Sequence, residues 1–141
     1  MNTNYIRLES FPKKIILESW EIEYDIKHLV LNEKSETLDG LNKIIKSDLQ
    51  DFKKLISTLK MQLMTRELLK NEKRVKKYKR NKKIIEFKSP NGYARLFGFI
   101  KDETIIICTN CYWKNSNNKA EQDAAFERAE FLMEKYLEQY H

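Results

Sequence analysis

The sequence predicts an α+β fold, a small sheet covered by helices, and three observations indicate this class. Apolar residues recur every three or four positions over residues 35–69 and again over 119–140, as on one face of a helix. Three apolar segments typical of strands, residues 84–88, 93–100 and 104–110, lie between these regions. Only 3 Gly and 2 Pro occur, which disfavours a loop-rich all-β protein. We therefore expect one domain over the whole 141-residue chain: an N-terminal strand, a long helical region, a three-stranded antiparallel meander and a C-terminal helix.

The N-terminal region is predicted to be a loose arm followed by a strand. Residues 1–12 show no apolar periodicity and no apolar stretch of the kind found in signal peptides. Residues 20–24 alternate apolar and acidic side chains, which favours a strand. Residues 25–32 are compatible with an extension of that strand or with the start of a helix. We expect His28, within them, to be a structural residue rather than a catalytic one.

The strongest helical signal covers residues 35–69. One apolar stripe along it consists of Leu49, Phe52, Ile56, Leu59 and Leu63, and a second of Leu38, Leu41 and Ile45. Gly40 and the pair Ser47-Asp48 predict an interruption, with Ser47 as the N-cap of the following helix and Gln50 as its capping partner. We expect the stripes to pack on the sheet. Alternatively, they bind a helix of a partner protein.

Positive charge is concentrated just before the predicted meander. Residues 70–83 contain nine Lys or Arg and one Glu, a net charge of +8, whereas the whole chain carries +6. Such a concentration is typical of a site for a polyanion, although a solvated charged surface is the alternative. Residues 119–140 contain three basic and six acidic residues, so we expect this helix to face away from the polyanion.

The middle predicted strand presents two different faces. Alternation places Tyr93, Arg95, Phe97 and Phe99 on one face, and Ala94, Leu96, Gly98 and Ile100 on the other. We expect the second face to pack on the helices. The first combines a guanidinium, which can bind phosphate, with aromatic rings on which bases can stack. Alternatively, Phe97 and Phe99 lie beneath the C-terminal helix and Arg95 alone is exposed.

The two cysteines, Cys108 and Cys111, are three positions apart, and strand alternation predicts that they lie on opposite faces. A C-x-x-C sequence can form half of a redox or zinc site, but no second pair is present. We expect two reduced thiols, no metal, no cofactor and a cytoplasmic location. No segment approaches the ~20 apolar residues of a membrane span, so no membrane partner is expected.

Three segments, taken in order, resemble one protein family. They are the basic connector at residues 74–80 with the strand Ile84-Ile-Glu-Phe-Lys88, the arginine-bearing strand at 93–97, and the turn Tyr112-Trp-Lys-Asn-Ser116. Together they resemble the RelE/HigB-like superfamily of toxins from bacterial type II toxin–antitoxin systems, in particular its phage-derived HigB group. Asn115 stands where the family pattern has a second Lys, and the Pro that often opens the last helix is missing.

The resemblance implies a metal-independent endoribonuclease that cleaves messenger RNA, often on the ribosome, and a cognate antitoxin that covers the site. In this chemistry a ribose 2′-OH attacks the adjacent phosphate, which requires a proton acceptor, a cation and a proton donor. The catalytic residues would be Arg95, as phosphorane stabiliser, with Lys83, Tyr112 and Lys114. The RNA-binding residues would be Lys76, Lys77, Lys79, Arg80, Lys82, Lys88, Tyr93 and Asn115. One of Lys82, Lys83 and Lys88 would act as the base, because neighbouring cations lower a lysine pKa. The alternative is a non-catalytic RNA- or DNA-binding module that uses the basic face at 70–83.

Overall fold

A mixed sheet of six strands forms the centre of the protein, in a computed structural model that describes residues 5–16, 23–113 and 119–140. The elements in chain order are β1 (Ile6–Ser10), β2 (Asp25–Leu31), α1 (Glu36–Ser47), α2 (Leu49–Leu63), β3 (Val75–Lys77), β4 (Ile85–Lys88), β5 (Ala94–Lys101), β6 (Ile105–Trp113) and α3 (Lys119–Tyr140). The strand order is β1-β2-β6-β5-β4-β3, with β2 and β6 parallel and all other neighbours antiparallel. The predicted α+β class and the C-terminal helix are confirmed. The predicted three-stranded antiparallel meander is wrong as a description of the sheet, because β1, β2 and β3 also belong to it.

Helices cover both faces of the sheet. On the face that we call the α1–α2 face, Leu55 of α2 packs in one apolar cluster with Leu96 of β5. On the opposite face, the α3 face, Phe126 of α3 packs with Phe97 and Phe99. The alternation predicted for the middle strand is therefore confirmed within β5, whereas Tyr93 lies before the strand and does not share the face of Arg95. The idea that Phe97 and Phe99 stack on bases is wrong, because both side chains are buried beneath α3.

The predicted loose arm contains an ordered strand. Ile6 pairs with Leu31 in the β1–β2 ladder, and its side chain is fully buried. The Tyr140 hydroxyl at the end of α3 donates a hydrogen bond of 2.7 Å to the Ile6 carbonyl. The arm prediction is therefore wrong for Ile6–Ser10. Most of the strand predicted at 20–24 lies outside the described residues, and the strand of this region is β2.

His28 lies inside β2 and is buried, as expected of a structural histidine. Its Nδ1 atom is 2.8 Å from the Ser35 hydroxyl, which also caps α1 by accepting a hydrogen bond from the Leu38 amide. Burial lowers the pKa of His28 below its usual 6.5, so the ring is neutral at pH 7. The residue thus joins β2 to the start of α1.

The helical region is interrupted at Asp48. The Asp48 carboxylate accepts a hydrogen bond of 3.0 Å from the Asp51 amide and so caps α2. The predicted Ser47 cap is therefore wrong by one residue. Gly40, predicted to help break the helix, instead lies within α1, where a Cβ atom would overlap the backbone of Cys111. The glycine allows α1 to approach β6 closely.

A methyl group at Gly40 is expected to separate α1 from β6. We expect Gly40→Ala to lower the free energy of unfolding by about 1–3 kcal/mol, because overpacking outweighs the better helix propensity of alanine. Urea unfolding followed by circular dichroism measures this change. Asn42→Ala, at an exposed position of the same helix, is the control and should leave stability unchanged or slightly raised. A Gly40→Ala protein as stable as the control would contradict the close packing.

The two cysteines lie on the same side of the sheet, contrary to prediction. In the β5–β6 ladder Phe97 pairs with Asn110 and Gly98 with Cys108, so Thr109 is an extra residue that forms a β-bulge. The bulge shifts the alternation by one residue, and both thiols pack in the cluster of the α1–α2 face. Burial raises the pKa of both thiols, which makes them poor nucleophiles.

Candidate nucleic-acid interface

Five polar side chains meet on the α3 face, and we call them the Arg95 cluster: Lys76, Glu86, Lys88, Arg95 and Tyr112. Strand register brings them together, because Lys76 pairs with Glu86, Lys88 with Arg95, and Arg95 with Tyr112. Directly opposite residues of neighbouring strands have Cβ atoms about 5 Å apart. Four of the five were predicted as catalytic or RNA-binding residues from the sequence. The structure thus places Arg95, Tyr112, Lys76 and Lys88 side by side.

The side chain of Arg95 is half-buried, and its guanidinium is fixed by hydrogen bonds from one of its nitrogen atoms. Its Nη1 atom donates to the carbonyl oxygens of Gly92, at 3.1 Å, and Ala94, at 2.9 Å. No carboxylate of the described residues forms an ion pair with it. A guanidinium has five N–H donors, so Arg95 retains donors for an anion while its position is fixed.

Glu86 is the member of the cluster that the sequence analysis missed. Its side chain is fully buried, and the Tyr78 hydroxyl is placed beside its carboxylate as a hydrogen-bonding neighbour, although the contact falls short of ordinary hydrogen-bond geometry. Burial raises the pKa of Glu86 above its usual 4.5, and the positive charges of Arg95, Lys76 and Lys88 oppose that rise. A carboxylate of this kind accepts a proton more readily than an exposed one. The sequence feature that could have pointed to Glu86 is its position between Ile85 and Phe87, since this strand is covered on both faces and a Glu within it is therefore buried.

Two tyrosines adjoin Glu86. The ring of Tyr112 stacks on Phe97, with centroids 6.0 Å apart, and its hydroxyl is buried without a hydrogen-bond partner among the described residues. The Tyr78 hydroxyl accepts a hydrogen bond of 3.0 Å from the Gln122 side chain. Burial, together with the charge of Glu86, raises the pKa of both phenols. Both therefore stay protonated at neutral pH, and Tyr112 keeps an unused donor.

A buried carboxylate on α2 holds the turn that carries Arg95. Asp51 accepts hydrogen bonds from the Ser89 hydroxyl at 2.6 Å, the Tyr93 amide at 2.9 Å and the Trp113 indole at 2.8 Å. Burial alone would raise the pKa of Asp51, but these hydrogen bonds outweigh it and lower the pKa. The side chain of Tyr93 is exposed and meets Trp113 edge-on, so this predicted RNA-binding residue lies towards the α1–α2 face.

A second basic group lines a separate cavity of about 370 Å³, which we call the lysine cavity. Its four cations are Lys77, Lys82, Lys83 and Lys101. The cavity also contacts Phe99, four residues beyond Arg95 on β5, or about 13 Å at the rise of a strand. The structure therefore places Lys83 at this cavity and away from Arg95, whereas Lys77 also lines a pocket with Lys76 and Lys88 of the Arg95 cluster. The basic residues predicted as one site thus form two neighbouring groups.

The remaining predicted residues have other surroundings. Arg80 forms an ion pair of 3.0 Å with Asp123 and its guanidinium lies 4.1 Å from the centre of the Phe126 ring, so it anchors α3 to the basic connector. Lys79 is exposed beside it. Lys114 and Asn115 lie outside the described residues. The basic connector itself contains β3, an edge strand pinned by the buried Val75.

Neither a membrane span nor a metal cluster is found within the described ranges. No helix there has both the length and the apolarity needed to cross a bilayer. No group of three or more His, Cys, Asp or Glu side chains is placed there to bind a metal ion. Comparison of the chain with protein-family models, with curated proteins and with solved structures finds no match.

Proposed function

We propose that this protein is a metal-independent endoribonuclease that binds single-stranded RNA across the Arg95 cluster. The supporting observation is the meeting of three cations, a phenol with an unused donor and a buried carboxylate at one place on the sheet. Cations bind the phosphates of RNA, and the other two groups can exchange protons with it. Cleavage needs these functions together, whereas binding alone needs only the cations.

In the proposed reaction the ribose 2′-oxygen attacks the adjacent phosphorus. A bond forms between the 2′-oxygen and phosphorus, and the bond from phosphorus to the 5′-oxygen of the next nucleotide breaks. Glu86 takes the proton of the 2′-OH, and Tyr112 supplies a proton to the leaving oxygen. Arg95 stabilises the charge that develops on the phosphorane. The products are a 2′,3′-cyclic phosphate and a 5′-hydroxyl end.

Glu86 replaces lysine as the base that we expected from the sequence. Its raised pKa brings a carboxylate towards the range useful at neutral pH, and its position among three cations keeps it next to bound phosphate. Because Glu86 is covered, RNA has to displace side chains above it. Lys76 is exposed and lies 4.6 Å from the centre of the Tyr78 ring, so its ammonium can turn from that ring onto phosphate when RNA binds.

The biological role that we propose is that of a toxin in a type II toxin–antitoxin system, with messenger RNA as the substrate and an antitoxin protein as the inhibitor. The resemblance of residues 70–136 to the RelE/HigB-like superfamily supports this role. The net charge of +8 within residues 70–83 suits an acidic inhibitor as well as RNA. In this role the protein arrests growth when it is produced without its antitoxin.

The experiment that tests this function uses purified protein, labelled RNA and excess chelator. We expect cleavage without metal and products with 2′,3′-cyclic phosphate ends, and we expect a 2′-deoxy substitution at the cleaved position to block the reaction. Arg95→Ala should slow cleavage by about 100-fold, because it removes the main cation at the phosphorane, and weaken binding only a few-fold. Arg66→Ala, on an exposed arginine away from the cluster, is the control. Cleavage of the 2′-deoxy substrate would contradict the mechanism.

A non-catalytic RNA- or DNA-binding module is the second candidate. The full burial of Glu86 favours it, because a carboxylate that never meets RNA cannot act as a base. In that case the intact protein binds RNA without cleaving it under any condition, and Arg95→Ala only weakens binding. The same assay therefore separates the two functions.

A further inference from the structure

We infer that the lysine cavity is a second nucleotide subsite, which holds a base and a phosphate of the RNA strand a few nucleotides away from the Arg95 cluster. This inference rests on the proposed function, since it concerns the same RNA strand. It gives a role to Lys82 and Lys83, which the structure places away from Arg95. It also predicts that the protein distinguishes long from short RNA.

The walls of the cavity are apolar and its rim is basic. The apolar residues that line it are Ile85, Phe99, Ile100, Met133 and Leu137. Ile100 is half-buried, so a ligand in the cavity can cover the part of its side chain that is exposed. The cavity lies between α3 and the end of the sheet, and its volume of about 370 Å³ is in the range of small ligand sites.

Most lysines at the rim have no ion-pair partner among the described residues. Lys77, Lys82 and Lys83 are exposed and form no ion pair with a carboxylate of the described residues. Lys101 differs, because its Nζ donates to the Tyr136 hydroxyl and to the Tyr140 carbonyl, both at 3.1 Å. Asp102 is the acidic residue that lines the cavity. Four cations against one anion leave a clear excess of positive charge.

Single-stranded RNA suits this combination. A flat base can pack on aliphatic side chains while the lysines bind its phosphate, as in other grooves that hold single strands. A base paired within a duplex cannot enter a cavity of this kind. The distance of about 13 Å along β5 from Arg95 to the cavity can be bridged by a short stretch of one strand.

The subsite is expected to contribute to binding and not to the chemical step. It contains none of the groups that we place at the scissile phosphate. Its loss should therefore weaken the affinity for RNA that is long enough to reach it. The cleavage rate at saturating RNA should stay unchanged.

The test compares RNA of about three nucleotides with RNA of about ten, the latter near the site size of other single-strand grooves. For Lys82→Ala/Lys83→Ala we expect the Kd of the longer RNA to rise about tenfold and its salt dependence to flatten by about one unit of slope. The Kd of the shorter RNA should stay unchanged. The control is Lys53→Ala/Lys54→Ala, which removes the same charge from exposed positions of α2, and it should change neither Kd.

Crosslinking of the longer RNA through 4-thiouridine provides the second measurement. We expect a crosslinked peptide that contains residues of the lysine cavity, and we expect the double variant to reduce it. Equal losses for both RNA lengths, or an equal loss in the control, would overturn the inference, since either would indicate general attraction by charge. If the wild-type protein binds neither RNA, the proposed function fails. If RNA is cleaved in an Arg95-dependent manner and the double variant binds long RNA normally, only the subsite fails.

Discussion

Glu86→Gln is expected to slow RNA cleavage by about 1,000-fold while it makes the folded protein more stable at pH 8. Glutamine has the size and shape of glutamate but cannot take the proton of the 2′-OH. The loss should therefore appear in the cleavage rate at saturating RNA, and RNA binding should change little. Glu134→Gln, at an exposed position of α3, is the matched control and should leave both cleavage and stability unchanged.

The gain in stability follows from the direction of the pKa shift. Burial raises the pKa of Glu86 in the folded protein, so folding favours the protonated form. The cost of the buried charge is absent below the unfolded pKa near 4.5, grows as the pH rises from there to the raised folded pKa, and is constant above it. Glutamine avoids that cost, so we expect a gain of about 1–3 kcal/mol at pH 8. The gain should vanish near pH 4.

Urea unfolding at several pH values and a pH profile of the cleavage rate together check this prediction. The cleavage rate of the wild-type protein should rise with pH through the raised pKa of Glu86, and this rise should be absent from the residual activity of the variant. A variant that is less stable than the wild type at pH 8 would show that the carboxylate serves as a structural counter-ion for Arg95 and the two lysines. In that case Glu86 is not the base.

A stabilising substitution that abolishes activity is the pattern expected of a functional group kept at an energetic cost. Asp51, the other buried acidic side chain among the described residues, is satisfied by three hydrogen bonds. Glu86 is buried to a similar degree, and with the Tyr78 hydroxyl as its hydrogen-bonding neighbour it lacks three comparable bonds. This contrast between two buried carboxylates is the main reason to place chemistry at the Arg95 cluster.

Local patterns predicted the elements that bury a regular apolar stripe. The stripes of α1 and α2 and the alternation along β5 could be read from the sequence, because each is repeated several times within one element. The alternation placed Arg95 on the face opposite Leu96, but the sequence did not predict its pairing with Lys88 and Tyr112. Four members of the Arg95 cluster were predicted as site residues from the resemblance to a toxin family.

The elements that could not be predicted from the sequence depend on contacts with segments that are distant in sequence. Ile6 is the one fully buried side chain of β1, Leu8 packs beside it only in part, and β3 buries only Val75, so each strand has a pattern too short to stand out. Both strands exist because the backbone of a neighbouring strand offers hydrogen bonds. The bulge at Thr109 likewise depends on the fit between β5 and β6, and the sequence alone predicted the wrong face for one cysteine.

The division of the basic residues into two sites has a similar cause. Residues 70–83 are contiguous in sequence, but β3 and the loop after it distribute their side chains over the edge of the sheet. Lys76 joins the Arg95 cluster, whereas Lys77, Lys82 and Lys83 line the lysine cavity. A run of charge predicts that a polyanion is bound, but it does not predict where each charge lies.

Asp51→Ala is expected to lower the free energy of unfolding by about 3–5 kcal/mol, a large fraction of the stability of a small domain. The substitution removes the acceptor of three hydrogen bonds and leaves the Tyr93 amide and the Trp113 indole, both partly buried, without that partner. The side chain of Asp51 also fits closely against Gly92, where a Cβ atom would overlap the carboxylate. Asp51 thus joins α2 to the β4–β5 turn and to the end of β6.

Urea unfolding measures this loss, and the exposed Asp39→Ala on α1 is the control, with an expected change below about 0.5 kcal/mol. Because the pKa of Asp51 is lowered in the folded protein, its contribution is fully present above the unfolded pKa of 3.8 and is lost as the pH falls below it. The difference between wild type and variant should therefore shrink in acid. A constant difference down to pH 2 would mean that packing, and not the charge, accounts for the effect.

The same substitution should impair function even where the variant remains folded. The Gly92 carbonyl that holds the Arg95 guanidinium belongs to the turn that Asp51 anchors. Loss of the anchor allows that turn to move, and a guanidinium displaced by about 1 Å stabilises a phosphorane much less well. We expect Asp51→Ala to slow cleavage at low temperature while Asp39→Ala does not. Normal cleavage by a folded Asp51→Ala protein would show that the turn does not influence the site. In that case β5 alone positions Arg95.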